Sequence, residues 1–244
     1  MKNLKLGVKI GLGFALIFVA IVAFGAWTYS FSVAVDNKSN LVLTETQPFV
    51  LLAQQMNYDT LQVQQWLTDI SATRAQNGLN DGFDEAEKSY LSFMTGLDKF
   101  EQMFRSENDT TMMNTVKQIR SEFDAYYSTG KKMAQSYIDG GPAEGNRMMS
   151  DFDGAVETLQ ENLEPFLVSQ IDELTVALND LSSEAASLKT GVIIVCLLVA
   201  ILAVIISFIL VRAISPPVRR GVIMAQEIAK GDFSMRLNMD RGDE

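Results

Sequence analysis

The sequence predicts an all-α, membrane-anchored protein: an antiparallel four-helix bundle between two transmembrane helices, with a short amphipathic helix after the second. Three observations carry this. Residues 10–35 and 190–211 contain no charged side chain, and each run exceeds the roughly 20 residues a helix needs to cross a bilayer core. The stretch between them has little strand signal and few turn residues. Its apolar residues recur three and four positions apart, which puts one apolar seam on each helix.

The first element is a cytoplasmic start, residues 1–9, carrying Lys2, Lys5 and Lys9. The second is the span 10–35. A lysine-rich start followed by an apolar run also suits a signal peptide, with Ala23-Phe24-Gly25 as small residues for cleavage. The run continues through Trp27, Tyr29, Phe31 and Val35, so an uncleaved anchor is expected. Trp27 and Tyr29 then fall near the outer interface, which amphipathic rings favour.

The third element, residues 36–189, is strongly acidic, whereas basic residues dominate just outside the spans. Arg212, Arg219 and Arg220 follow the second span with no acid before Glu227. By the positive-inside rule both chain ends are expected in the cytoplasm and the acidic middle outside, periplasmic in a Gram-negative cell. An acidic domain of this kind excludes nucleic acid as an expected partner.

Loop chemistry at Asn77–Gly82, Ser106–Asp109 and Asp139–Pro142 divides the middle into helices near 36–76, 83–105, 111–138 and 144–188. The second carries Phe83, Ala86, Tyr90, Phe93, Leu97, Phe100 and Phe104 on one seam. The third carries Met112, Val116, Ile119, Phe123, Tyr126, Met133 and Tyr137, with Gly130 in one slot. The fourth carries Met149, Phe152, Val156, Leu159, Leu163 and Phe166, then slips phase near 167 and resumes with Ile171, Leu174, Leu178, Leu181, Ala185 and Leu188. Four seams close into a bundle. Asp81 and Asp109 are expected to cap the second and third helices. Pro48 and Pro165 are expected to bend the first and fourth. No loop signal separates the outer helices from the spans.

The chain has 20 basic and 30 acidic residues, no histidine and a single cysteine. Histidine-dependent triads, histidine-ligated haem, cysteine clusters and an intrachain disulfide are therefore excluded. No nucleophile–base pair or phosphate loop stands out, so no catalysis, cofactor or metal is expected within this chain.

After the span 190–211 come Ile214-Ser215-Pro216-Pro217-Val218, Lys230-Gly231-Asp232-Phe233 and the terminal Asp243-Glu244. Ile214, Val218, Gly221, Ala225 and Ile228 make a heptad seam. Residues 212–244 resemble a partial HAMP linker, the relay module of transmembrane receptors. The resemblance makes Pro217 the head of the first relay helix and Gly231 the start of its connector. It makes Phe233 and Leu237 the connector's apolar anchors, and Asp243 and Glu244 the start of the second helix. Pro216 departs from the pattern, since that position is often polar.

The whole layout resembles a methyl-accepting chemotaxis protein of the four-helix-bundle sensor class. Val63–Arg74 is also similar to sensor segments of that family. The resemblance implies an inner-membrane homodimer that senses a periplasmic solute, directly or through a periplasmic binding protein. It implies an adaptor and a histidine kinase as cytoplasmic partners, and a truncation here before the signalling domain. The same front end occurs on sensor histidine kinases and cyclic-dinucleotide enzymes. The candidate ligand residues are Arg74, Thr73, Asp69 and Trp66. Arg74 is the only basic residue from Ser39 to Glu87, and a guanidinium holds carboxylates in a two-pronged fork. Against this stand a surface ion pair for Arg74 and a core or dimer contact for Trp66 and Tyr58.

Overall fold

The computed structural model describes residues 6–231 and Ser234. Among them the chain is helical, without a strand. Helix α1 spans Leu6–Leu41, followed without a break by a π-helical turn, Val42–Thr46, and by α2, Gln47–Thr73. Then come α3 at Gly82–Glu107, α4 at Thr110–Gly140 and α5 at Pro142–Ala229. Two helical stretches, Ile10–Thr73 and Pro142–Ala229, are long and apolar enough to cross a membrane.

Two compact units form. One is Lys38–Asp180; the other comprises the described residues of Met1–Asn37 and Leu181–Glu244. The first unit has one hydrophobic core, fed by α2, α3, α4 and the first part of α5. Its centre is aromatic. Phe93 of α3 stacks on Phe123 of α4 with centroids 3.6 Å apart, and Tyr126 of α4 stacks on Phe152 of α5 at 5.1 Å. Phe100 meets Phe166 edge-on at 4.8 Å. Offset and edge-on pairs add to what burial alone contributes. Gly130 belongs to this packing: a Cβ there would lie 2.6 Å from Leu67 and Phe152. A side chain in that slot would push α4 away from α2 and α5.

The seams expected for α3 and α4 face the core: their residues are buried except Phe83, Tyr90 and Met112, which are half-buried against it. On α5 the burial differs from the expected pattern. Phe152, Leu159, Leu163 and Phe166 are buried, and the rhythm continues to Gln170, 3% exposed. Ile171 and Leu178, expected on the seam after a slip, are 45% and 47% exposed. Of the same expected set Ala185 is exposed too, while Leu174, Leu181 and Leu188 are half-buried. The helix keeps its phase, and a polar residue takes the core slot.

The capping expectations divide. Asp109 caps α4, its Oδ1 accepting from the Met112 amide at 2.9 Å. Asp81 makes no side-chain cap to α3, because its own backbone is helical at φ −67°, ψ −18°, and a capping side chain needs a non-helical cap residue to reach back. The prolines are absorbed within helices. Ahead of Pro48 the Gln47 amide donates to the Val42 carbonyl, the wider spacing of a π-turn. Pro165 and Pro216-Pro217 lie inside α5, which runs unbroken for 88 residues.

In the second unit α1 packs on the membrane-length part of α5. A Cβ at Gly13 would meet Ile206 at 3.0 Å, and the Trp27 indole lies over Gly191, 2.6 Å from the position of an added Cβ. Phe14, Ile17, Ile206, Ser207 and Leu210 help line a hollow of ≈ 370 Å³ in this unit.

Candidate functional site

The four candidate ligand residues lie on the last turns of α2 and its cap, and they face different surroundings. Trp66 is half-buried and packs against the core. Asp69 is exposed and lines a shallow open hollow of ≈ 440 Å³ with Leu61, Gln64, Gln65, Thr68 and Ala72. The Thr73 hydroxyl donates to the Leu79 carbonyl at 3.3 Å, tying the turn after α2. Arg74 ends α2 in the left-handed conformation, φ 54°, with its amide donating to the Ile70 carbonyl. Its Nε donates to the Tyr137 carbonyl at 3.0 Å.

That carbonyl belongs to the last turn of α4, where helix carbonyls carry partial negative charge, and it also accepts from the Gly141 amide at 3.1 Å. Arg74 therefore ties α2 to the end of α4, with its guanidinium beside Gly141. Ala75 and Asn77 are also left-handed, φ 52° and 56°. Side chains of this kind take that region at a cost, so contacts such as the Arg74 latch hold the turn.

Along the outside of α2 runs a second, uncovered stripe. Leu51, Tyr58 and Leu61 are 57%, 54% and 52% exposed, and exposed Gln65, Thr68 and Ala72 continue it. The spacing is seven, three, four, three and four, that of a helix seam awaiting a facing helix. The Asp69 hollow lies on this stripe, since Leu61, Gln65, Thr68 and Ala72 belong to both.

Four acids gather elsewhere in this unit. Burial, then Glu173, Asp109 and Glu45, push the Glu107 carboxyl above its ordinary range. Among the described residues no group of three or more metal-ligating side chains is placed to hold an ion. On the α3–α4 face Tyr90 donates to Asp124 Oδ1 at 2.5 Å, and this bond with partial burial pushes the phenol up to about 12.

Sequence reasoning passed over Asp59, which is 3% exposed on α2. The signal was present. The buried run Val50, Ala53, Met56, Val63, Leu67 and Ile70 leaves one slot between Met56 and Val63, and Asp59 and Thr60 occupy it.

Of the expected relay residues, Pro217 lies within α5. Gly231 follows the helix end at φ 91°, its amide donating to the Ile228 carbonyl at 3.0 Å. A positive φ just past a helix is the natural place for glycine. Val218 and Ile228, on the heptad seam, are 57% and 39% exposed. Phe233, Leu237, Asp243 and Glu244 lie outside the described residues.

No known protein family, curated protein or solved structure matches this chain.

Proposed function

We propose that this chain is the sensing and relay portion of a transmembrane chemoreceptor of the methyl-accepting type. It places an antiparallel four-helix bundle in the periplasm and passes its state through the inner membrane to a HAMP relay. The observation that carries the reading is helical continuity. The first and last helices feeding the sensor core each continue without a break into a membrane-length apolar stretch. A loop at either junction would let the core rearrange unnoticed. A continuous helix hands a slide or rotation onward, because packed helices move between discrete arrangements.

The working unit in this reading is a homodimer. The exposed α2 stripe and the exposed seam after Pro217 both supply half of a helix interface. A solute, free or carried by a periplasmic binding protein, docks in the hollow at Asp69, on the membrane-distal part of the same stripe, and so bears directly on the dimer contact. Cytoplasmic output passes to an adaptor and a histidine kinase.

The test uses the full-length receptor. A run of glycines inserted after Leu188 is expected to leave solute binding intact by calorimetry and to abolish solute-driven kinase output. Normal output from the insert overturns the relay. Cysteines at Asn80 and Asn108, but not at Arg220, are expected to react with a membrane-impermeant reagent in intact cells. The opposite pattern overturns the orientation.

A further inference from the structure

Asp59 is an acid inside the sensor core with half of its carboxyl unsatisfied. Its Oδ1 accepts from Gln55 Nε2 at 2.9 Å, while Oδ2 is buried and has no hydrogen-bond partner. An ionised carboxylate accepts at both oxygens and offers nothing, whereas the neutral acid carries an O–H and sheds the cost of buried charge. The site lies where α2 meets α3, whose Ser92 hydroxyl, with Gln55, favours the anion. We propose that Asp59 is a proton-binding site at which acidification of the surrounding medium neutralises the carboxyl and tightens α2 in the core.

The neighbourhood has little else that titrates. On α2 the Thr60 hydroxyl donates to the Met56 carbonyl. On α4 Tyr126 donates to the Thr60 carbonyl at 2.9 Å, and burial raises its phenol so far that it stays neutral. On α5 Phe152 stacks on that ring. No charged side chain on α3, α4 or α5 appreciably shifts the Asp59 carboxyl; burial raises it above 3.8 more than Ser92 and Gln55 lower it. Folding therefore binds the proton. The stabilisation is complete below 3.8 and is lost as pH rises through the higher folded-state value.

The site bears on signalling because α2 belongs to the unbroken stretch Ile10–Thr73. That consequence rests on the receptor reading; proton binding does not.

The experiment places the 244-residue chain in lipid nanodiscs and follows amide hydrogen exchange from pH 4 to pH 8, corrected for intrinsic rates. Amides of α2 and α3 around Asp59 and Ser92 are expected to be several-fold better protected at the acid end. Asp59→Asn is expected to flatten this dependence, and the exposed control Asp69→Asn to leave it unchanged. Retention of the full pH dependence in Asp59→Asn overturns the proposal. Should that variant fail to fold, the carbon-13 resonance of the wild-type Asp59 carboxyl, assigned through Tyr58 and Thr60, decides. A midpoint above 3.8 supports the site, and one at or below it overturns it. If Asp59 titrates high while the full-length receptor ignores external acid, the signalling consequence falls and the proton site stands.

Discussion

Leu97, on α3 in the Lys38–Asp180 unit, is fully buried, whereas Leu197, on α5 in the other unit, is 59% exposed. The contrast runs through both. Phe93, Phe100, Phe123 and Phe152 turn inward in the first unit, and Phe14, Phe18 and Phe208 turn outward in the second. In the first, facing helices supply the apolar environment. In the second, the apolar stretches are 0% buried and are long and apolar enough for bilayer hydrocarbon to play that part. Apolar residue type alone therefore says that water is avoided, and the presence of facing helices says what replaces it.

The sharpest way to break this comparison is to remove one ring from each unit. Phe123→Ala, in the stack with Phe93, is expected to lower stability of the Lys38–Asp180 unit by about 3–5 kcal/mol in denaturant unfolding followed by circular dichroism. Phe208→Ala, at a ring 64% exposed, is expected to leave that transition unmoved. Equal losses would dissolve the distinction between the units.

A pair of exposed leucines sharpens it next. Leu198 is 60% exposed on the apolar part of α5, and Leu91 is 55% exposed on α3. Leu198→Arg is expected to cost about 2.5–3.5 kcal/mol in membrane insertion, read as a drop in the membrane-integrated fraction. Leu91→Arg, in contact with water, is expected to stay within about 0.5 kcal/mol of wild type in stability. A Leu198→Arg chain that inserts normally would mean this face does not meet lipid.

The smallest effect lies within the Lys38–Asp180 unit, at two aspartates that begin helices. Asp109→Ala removes a cap to α4 and is expected to cost about 1 kcal/mol. Asp81→Ala, with no cap to remove, is expected to change the unfolding midpoint little. Reversal of the two would contradict the cap geometry at α3 and α4.

The candidate site was only partly legible. A single basic residue at the end of α2 drew attention to Arg74, but spacing along one helix does not show which backbone its guanidinium reaches. That depends on where α4 ends, at Tyr137 and Gly140, and so on the three-dimensional path of the chain. Asp59 occupies the one polar slot of the α2 seam, between Met56 and Val63, and an aspartate's type alone argues for the surface rather than the core.

The sequence by itself determined the helices, their seams on α3 and α4 and the two uncharged membrane-length runs, because period and composition are local properties of a chain. It also determined the Asp109 cap, which needs only a partner three residues away. Tertiary structure decided the rest. It assigned Gln170 rather than Ile171 to the core, gave Gly130 its contact with Leu67 and Phe152, and buried the Asp59 carboxyl with one oxygen unpaired. Each of these depends on which helices meet, and the local pattern of one helix does not specify its neighbour.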